Sequence, residues 1–318
     1  MPGALGDVIR RGADNVLANW PLLLIRIAES VAMIVITLGI LIGAVVPIVA
    51  ASVGGSLTDL FDGTMDPERV LRSISPFLIL YVILVFSVVM LVAVVVHSFV
   101  QGGIVGCYLA GERAAPPGAA RVDFRVFTPE LWWSEGKRNV WRFFWIYNVI
   151  WGAWSLVLLL PLLPLILLLV AMPENPAAIV LAIVGFIAIL VFAVALAFVA
   201  FVWSQVVLLD AAKRSLAPVE AISRSSEAMR GRVGNIILIG GIFFALSMLV
   251  GSGVAGFSFF FEAAGMLPGL GVALIPFQVI LSLVNSAVST LFGSWMIAAL
   301  AAALHQPTPE DLHAVARA

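Results

Sequence analysis

The chain has 318 residues, 62% hydrophobic and 11% charged, with 17 Lys and Arg against 18 Asp and Glu. Its mean hydropathy is +1.13, whereas soluble domains carry roughly 25% charged and 45–50% apolar residues; a water-soluble globular protein is excluded and an integral membrane protein is expected. The near-neutral charge provides no global basic field to recruit nucleic acid, and the single cysteine, Cys107, excludes an internal disulfide framework and a multi-cysteine metal site.

A helix needs about 20 apolar residues to cross a bilayer core roughly 30 Å thick. Six regions meet that requirement: Pro21–Ala51, Pro76–Gly102, Trp141–Met172, Pro176–Leu209, Asn235–Phe257 and Leu274–Leu304. The expected fold is an all-α membrane protein with six transmembrane helices arranged as three hairpins, each preceded by a cytoplasmic interfacial amphipathic helix. It forms a single polytopic domain over 1–318, with units at roughly 1–102, 124–209 and 215–304 and a short cytoplasmic tail over 305–318.

The first unit opens with ALGDVIRRGADNVLANWPLLL from Ala4, which mixes charge with apolar positions at helical spacing and runs straight into a span. That span is too long for a signal-peptide core and carries Arg26 and Glu29, so no cleavable signal is expected. The loop GGSLTDLFDGTMDPE is acidic (Asp59, Asp62, Asp66, Glu68) and reads as turns plus a helical turn from Asp66-Pro67. The second unit opens with PELWWSEGKRNVWRFFWIYNV from Pro129. Its rings suit the lipid boundary, while Glu135, Lys137 and Arg138 suit water. The third opens with PVEAISRSSEAMRGRVGNIIL from Pro218. Ser215 reads as part of its helix-start signal, with Pro218 in the first turn and Glu220 near the positive end of the dipole.

Fifteen of the 17 basic residues fall in alternate compartments: Arg10, Arg11 and Arg26; Arg113 through Arg142; Lys213 through Arg232; and Arg317 in the tail. Only Arg69 and Arg72 fall on the other side. The positive-inside rule then makes both termini cytoplasmic in the cell (inner) membrane. Arg10, Arg11, Lys137, Arg138, Arg142, Arg230 and Arg232 are candidate contacts for lipid headgroups, each near-surface cation being worth about 1 kcal/mol.

Ionisable and amide side chains inside spans are the default place to look for function, because each is costly at depth. Arg26 and Glu29 share a helical face and are close enough to pair; His97 and Gln101, Asn148, and Gln205 lie on spans 2, 3 and 4. On span 6, Gln278, Ser282, Asn285 and Ser289 recur at intervals of three or four. Together they are candidates for a polar cavity open to the cytoplasm. Packing within a six-helix bundle is the structural alternative, supported on span 5 by the small-residue pairs Ser247–Gly251 and Ser252–Gly256. No nucleophile elbow, zinc-protease motif, P-loop or dinucleotide fingerprint occurs, and His97, His305 and His313 are not spaced as metal ligands. No catalytic residue, metal or cofactor is expected.

The Gly-rich stretch QGGIVGCYLAGER (Gln101–Arg113), read as a turn after span 2, and SLAPVEAISRSSEAMRGRVGNIILI (Ser215–Ile239) resemble segments of bacterial six-span membrane proteins. These are uncharacterised families related to the membrane domain found beside glycerophosphodiester phosphodiesterases. The resemblance implies an all-helical polytopic protein with a hint of lipid handling. The 318 residues leave no room for the phosphodiesterase domain, so its activity is not expected here. The leading expectation is a non-catalytic envelope accessory or scaffold that binds lipid, with membrane lipids and a membrane or cytoplasmic protein as partners. The alternative is a transporter or channel for a small solute or lipid.

Overall fold

The computed structural model describes residues 5–46, 48, 76–116, 118–172, 175–265 and 270–305. The acidic loop around Asp66-Pro67, the far end of the first span, and the tail with His313 and Arg317 lie outside the described residues. Among the described residues there are helices and no strand. The elements run α1 (Leu5–Ala18), α2 (Pro21–Ile40, continued by a π-helical turn Leu41–Val45), α3 (Pro76–Ala114), a 3-10 turn (Arg121–Phe124), α4 (Pro129–Ala171), α5 (Pro176–Arg214), α6 (Pro218–Met229), α7 (Val233–Gly265) and α8 (Leu270–His305). Six of them, α2, α3, α4, α5, α7 and α8, are long and apolar enough to cross a membrane.

Local chemistry explains several of the helix ends. The Thr128 side chain accepts from the Leu131 amide at 3.1 Å, with Pro129 and Glu130 in the first turn of α4. Asn175 accepts from Ala177 at 3.0 Å and opens α5 ahead of Pro176. Ser215 ends α5 in the left-handed region (φ 56°), so it belongs to that terminus and does not start α6, whose cap, Ala217, makes no side-chain bond. Pro218 and Glu220 do occupy the first turn of α6.

The helices differ from the sequence reading most at two places, one for a packing reason and one because no breaker interrupts the chain. Helix α3 does not stop at Gly102: QGGIVGCYLAGER is helical throughout. Its glycines are contact points, since a Cβ on Gly102 would meet Asn139 at 2.9 Å, and Cβ atoms on Gly103 and Gly106 would run into Trp132 and Glu135. Gly136 on α4 reciprocates against Phe99. The backbones of α3 and α4 therefore approach closely along this stretch.

The middle surface helix is likewise not a separate element; Pro129–Ala171 is one helix of 43 residues. The first and third units break before their spans at Asn19-Trp20, ahead of Pro21, and at Arg230–Arg232, where Gly231 takes φ +70°. Between Gly136 and the span the middle unit has no glycine or proline, so nothing interrupts it.

One end of the molecule holds the core. Buried residues of α1 (Val8, Val16), α3 (Ile104–Leu109), α4 (Phe143, Ile146), α5 (Val206–Leu209), α6 (Ala221), α7 (Ile236, Ile239) and α8 (Ile297–Leu304) form a single cluster. Each fully buried large side chain there contributes about 1.5–3 kcal/mol. The rest of the long helices extends away as apolar arms. In their most apolar stretches no more than 6% of the residues of α2 to α5 are buried, against 61% in α8. Leu80, Leu160, Leu167, Val191 and Leu249 are among the side chains left exposed there. In water such faces would aggregate; a hydrocarbon solvent accepts them, and the fold is that of a multi-pass membrane protein. On α7 a Cβ at Gly251 or Gly256 meets nothing within 4 Å among the described residues, whereas one at Gly240 would run into Val202.

Buried polar side chains fasten the packed end. Asn19 donates to Phe124 O at 2.7 Å and accepts from the amides of Val126 and Phe127 at 3.1 and 2.9 Å. Asn15 donates to Tyr108 O at 3.0 Å and to Glu112 at 3.2 Å. Arg11 completes the set, 3.0 Å from the buried Glu112 carboxylate. Across the molecule, Trp295 donates to Ile9 O at 2.8 Å and Lys213 to Leu304 O at 2.8 Å.

Candidate functional site

Where the arms leave the core, α2, α3, α4 and α5 enclose a cleft of about 470 Å³. Its polar wall is Arg26, Glu29, Ser30, His97, Ser204 and Gln205; its apolar wall includes Met33, Val94, Trp151 and Phe201, with Tyr147 between the two. His97 stands 21 residues, about 32 Å at the helical rise, from the start of α3 at Pro76. That distance is close to the roughly 30 Å of a hydrocarbon core.

Arg26 and Glu29 do not pair with one another. The Arg26 guanidinium donates to Gln101 Oε1, and Gln101 Nε2 donates onward to Gln205 Oε1 at 3.1 Å, tying α2 to α3 and α5. Gln101 is fully buried behind the cleft wall, and Gln205 is nearly so. Glu29 meets His97 Nδ1 at 2.8 Å, with its side chain 6% exposed and that of His97 37% exposed. The His97 ring packs on Tyr147 with centroids 5.2 Å apart. The cleft thus sets a cation and an anion one helical turn apart and fixes each through a neighbour on another helix.

Of the residues singled out in the sequence, Arg26, Glu29, His97 and Gln205 line this cleft and Gln101 backs it. Asn148 lines an adjoining cleft of about 550 Å³ with Ser87 and Ser155, and its amide turns back to Phe144 O at 2.7 Å. Gln278, Ser282, Asn285 and Ser289 line neither cleft: Ser282 and Ser289 are exposed, and Gln278 and Asn285 half-buried. Tyr147 and Trp151 escaped the sequence reading. Tyr147 immediately precedes Asn148, and successive helical residues point about 100° apart, so the amide drew attention while its neighbour faces the cleft.

The basic residues expected at headgroups are unevenly engaged. Arg11 binds Glu112, Arg138 binds Glu135, and Arg142 donates to Asn139 at 2.7 Å. Arg232 donates to Leu304 O at 3.2 Å. Lys137 lies 5.3 Å over the Trp133 ring; Arg10 and Arg230 are exposed. Exposed Trp20, Trp133, Trp141 and Trp145 belong to the same end of the molecule.

Set against protein-family models, curated proteins and solved structures, the chain matches none of them. Its class, a multi-pass membrane protein, therefore rests on its own six apolar helices.

Proposed function

We propose that the protein is a non-catalytic, lipid-binding accessory or scaffold of the inner membrane, with both termini in the cytoplasm and three units in which a surface segment, separate in the first and third and continuous with its span in the second, leads into a transmembrane hairpin. The distribution of basic residues, fifteen against two, supports the orientation. In that orientation the packed end is cytoplasmic and the cleft lies at the level of the inner headgroups. The observation that carries the reading is the cleft itself: a polar wall of Arg26, Glu29 and His97 opposite an apolar wall of Met33, Val94 and Phe201. Such a site matches an amphiphile better than a fully polar solute. Arg10, Lys137 and Arg230 add a diffuse attraction for anionic headgroups.

The test is extraction into native-lipid nanodiscs followed by mass spectrometry of retained lipids, comparing wild type with Met33→Trp, which fills the cleft. Lipid retained by the wild type and lost in the variant supports the reading; a folded wild-type protein that retains none sinks it. A transport reading draws on the adjoining cleft, which shares Val94, Tyr147 and Trp151 with the first and carries polar groups further along α3 and α4. A conduit needs a hydrated path or a site near the midplane. Solute flux into proteoliposomes, abolished by Asn148→Leu, would favour it over the accessory reading.

A further inference from the structure

We propose that the lipid held by the cleft is a zwitterionic aminophospholipid, with a phosphodiester and a primary ammonium joined by a short spacer. This rests on the lipid-binding reading above and adds the headgroup class.

The cleft holds its two opposite charges apart. Arg26 and Glu29 lie three residues apart on one face of α2, at a spacing where a guanidinium and a carboxylate ordinarily pair. Here Gln101 draws Arg26 one way and His97 holds Glu29 the other. A guanidinium has five donors in a planar fork suited to paired phosphate oxygens. Among the described residues Gln101 is the one side chain that takes any of them. Glu29 spends Oε1 on His97, leaving its second oxygen to accept from an ammonium. Tyr147 and Trp151 stand in the same lining, and their ring faces also attract an ammonium, more strongly once it is desolvated.

Charge balance excludes the other common headgroup class. Arg26 and Glu29 offset each other, so a headgroup of balanced charge leaves none uncompensated where water is scarce. An anionic headgroup would satisfy Arg26 but face Glu29 one turn away, and like charges at that range oppose each other. A quaternary ammonium would keep the cation–π contact and lose the hydrogen bond to Glu29. The cleft falls in the size range of small-molecule sites, and Met33 and Phe201 lead from it onto the exposed apolar faces of α2 and α5, where acyl chains would lie.

The experiment reconstitutes the full chain into vesicles of equal parts phosphatidylethanolamine, phosphatidylcholine and phosphatidylglycerol. Retained lipid is then read by native mass spectrometry. Wild type should enrich the ethanolamine lipid over the other two by about tenfold, equivalent to about 1.4 kcal/mol. Glu29→Gln should cut that preference to twofold or less while still retaining phospholipid, and Arg26→Gln should lose retention of all three. Arg26→Lys and Met33→Trp serve where Arg26→Gln unfolds; the first should restore partial retention and the second abolish it. Enrichment of the glycerol lipid, or an ethanolamine preference unchanged in Glu29→Gln, overturns the headgroup assignment and leaves lipid binding standing. Absence of retained lipid of every class from folded wild type removes the parent reading instead.

Discussion

At Gly12 the backbone of α1 lies against that of α8, and replacing it with alanine tests whether that contact holds the packed end together. A Cβ at position 12 would lie 2.7 Å from the Ala299 amide nitrogen, 2.8 Å from its Cα and 2.9 Å from its Cβ. The obstruction is backbone, so no rotamer relieves it and one helix must move. Two effects oppose each other. Alanine in a helix interior gains about 0.8–1.0 kcal/mol over glycine, while overpacking of this kind costs about 1–3 kcal/mol. The net expectation is a loss of about 0–2 kcal/mol, and about 1–3 kcal/mol relative to the unobstructed Gly6→Ala. Gly6 on the same helix is the control: a Cβ there meets nothing within 4 Å, so Gly6→Ala should be neutral or slightly stabilising. Thermal unfolding in a mild detergent, followed by tryptophan fluorescence, reads both, with limited proteolysis reporting release of α1. If Gly12→Ala is as stable as Gly6→Ala, the α1–α8 contact is looser than described and the packing argument fails.

Asn19→Leu should be more damaging, by about 3 kcal/mol, because it strands the amides of Val126 and Phe127 and the carbonyl of Phe124 at about 1–3 kcal/mol each when buried; increased cleavage between residues 116 and 128 would report it. Glu112→Ala leaves Arg11 facing a hole and Asn15 with one partner fewer, and should cost about 3–5 kcal/mol by the same unfolding assay. The double variant Arg11→Met, Glu112→Leu should recover much of that loss, an outcome that separates a stranded charge from lost packing. Trp203→Phe removes the 2.9 Å bond from Trp203 to Ser225 that fastens α6 to α5; about 0.5–1.5 kcal/mol should be lost, with faster amide hydrogen exchange confined to Pro218–Met229 as the check.

Span number was legible because apolar runs of more than 20 residues in a chain so poor in charge allow little else. Where the helices end was less so. Gln101–Arg113 reads as a turn because glycine usually breaks helices, yet here Gly102, Gly103 and Gly106 serve a close neighbour, and a neighbour is invisible along one chain. Continuity of the middle surface helix with its span follows from what is missing between Gly136 and Trp145, a weaker cue than the Pro21 and Gly231 that mark breaks elsewhere. Arg26, Glu29, His97, Gln101 and Gln205 stood out because charge or amide groups inside an apolar run are conspicuous, but their partners did not. Helical spacing suggested Arg26 with Glu29; the tertiary arrangement gives each a partner at least 68 residues away. The anchoring asparagines carried a usable signal, two amides four residues apart, Asn15 on the apolar side of α1 and Asn19 just past its end. Only the burial of that side against α3 and the 3-10 turn turns it into a fastening.

A core confined to one end makes bilayer thickness matter to this protein in an unusual way. Arms that bury few of their own side chains can change tilt to suit a thinner or thicker hydrocarbon layer, at a fraction of a kcal/mol per ångström of mismatch, with the buried cluster at their other end left in place. Any such tilt would pivot where the arms join that cluster, which is where Arg26, Glu29 and His97 sit. If the cleft holds a lipid as proposed, acyl length and headgroup both bear on that one joint.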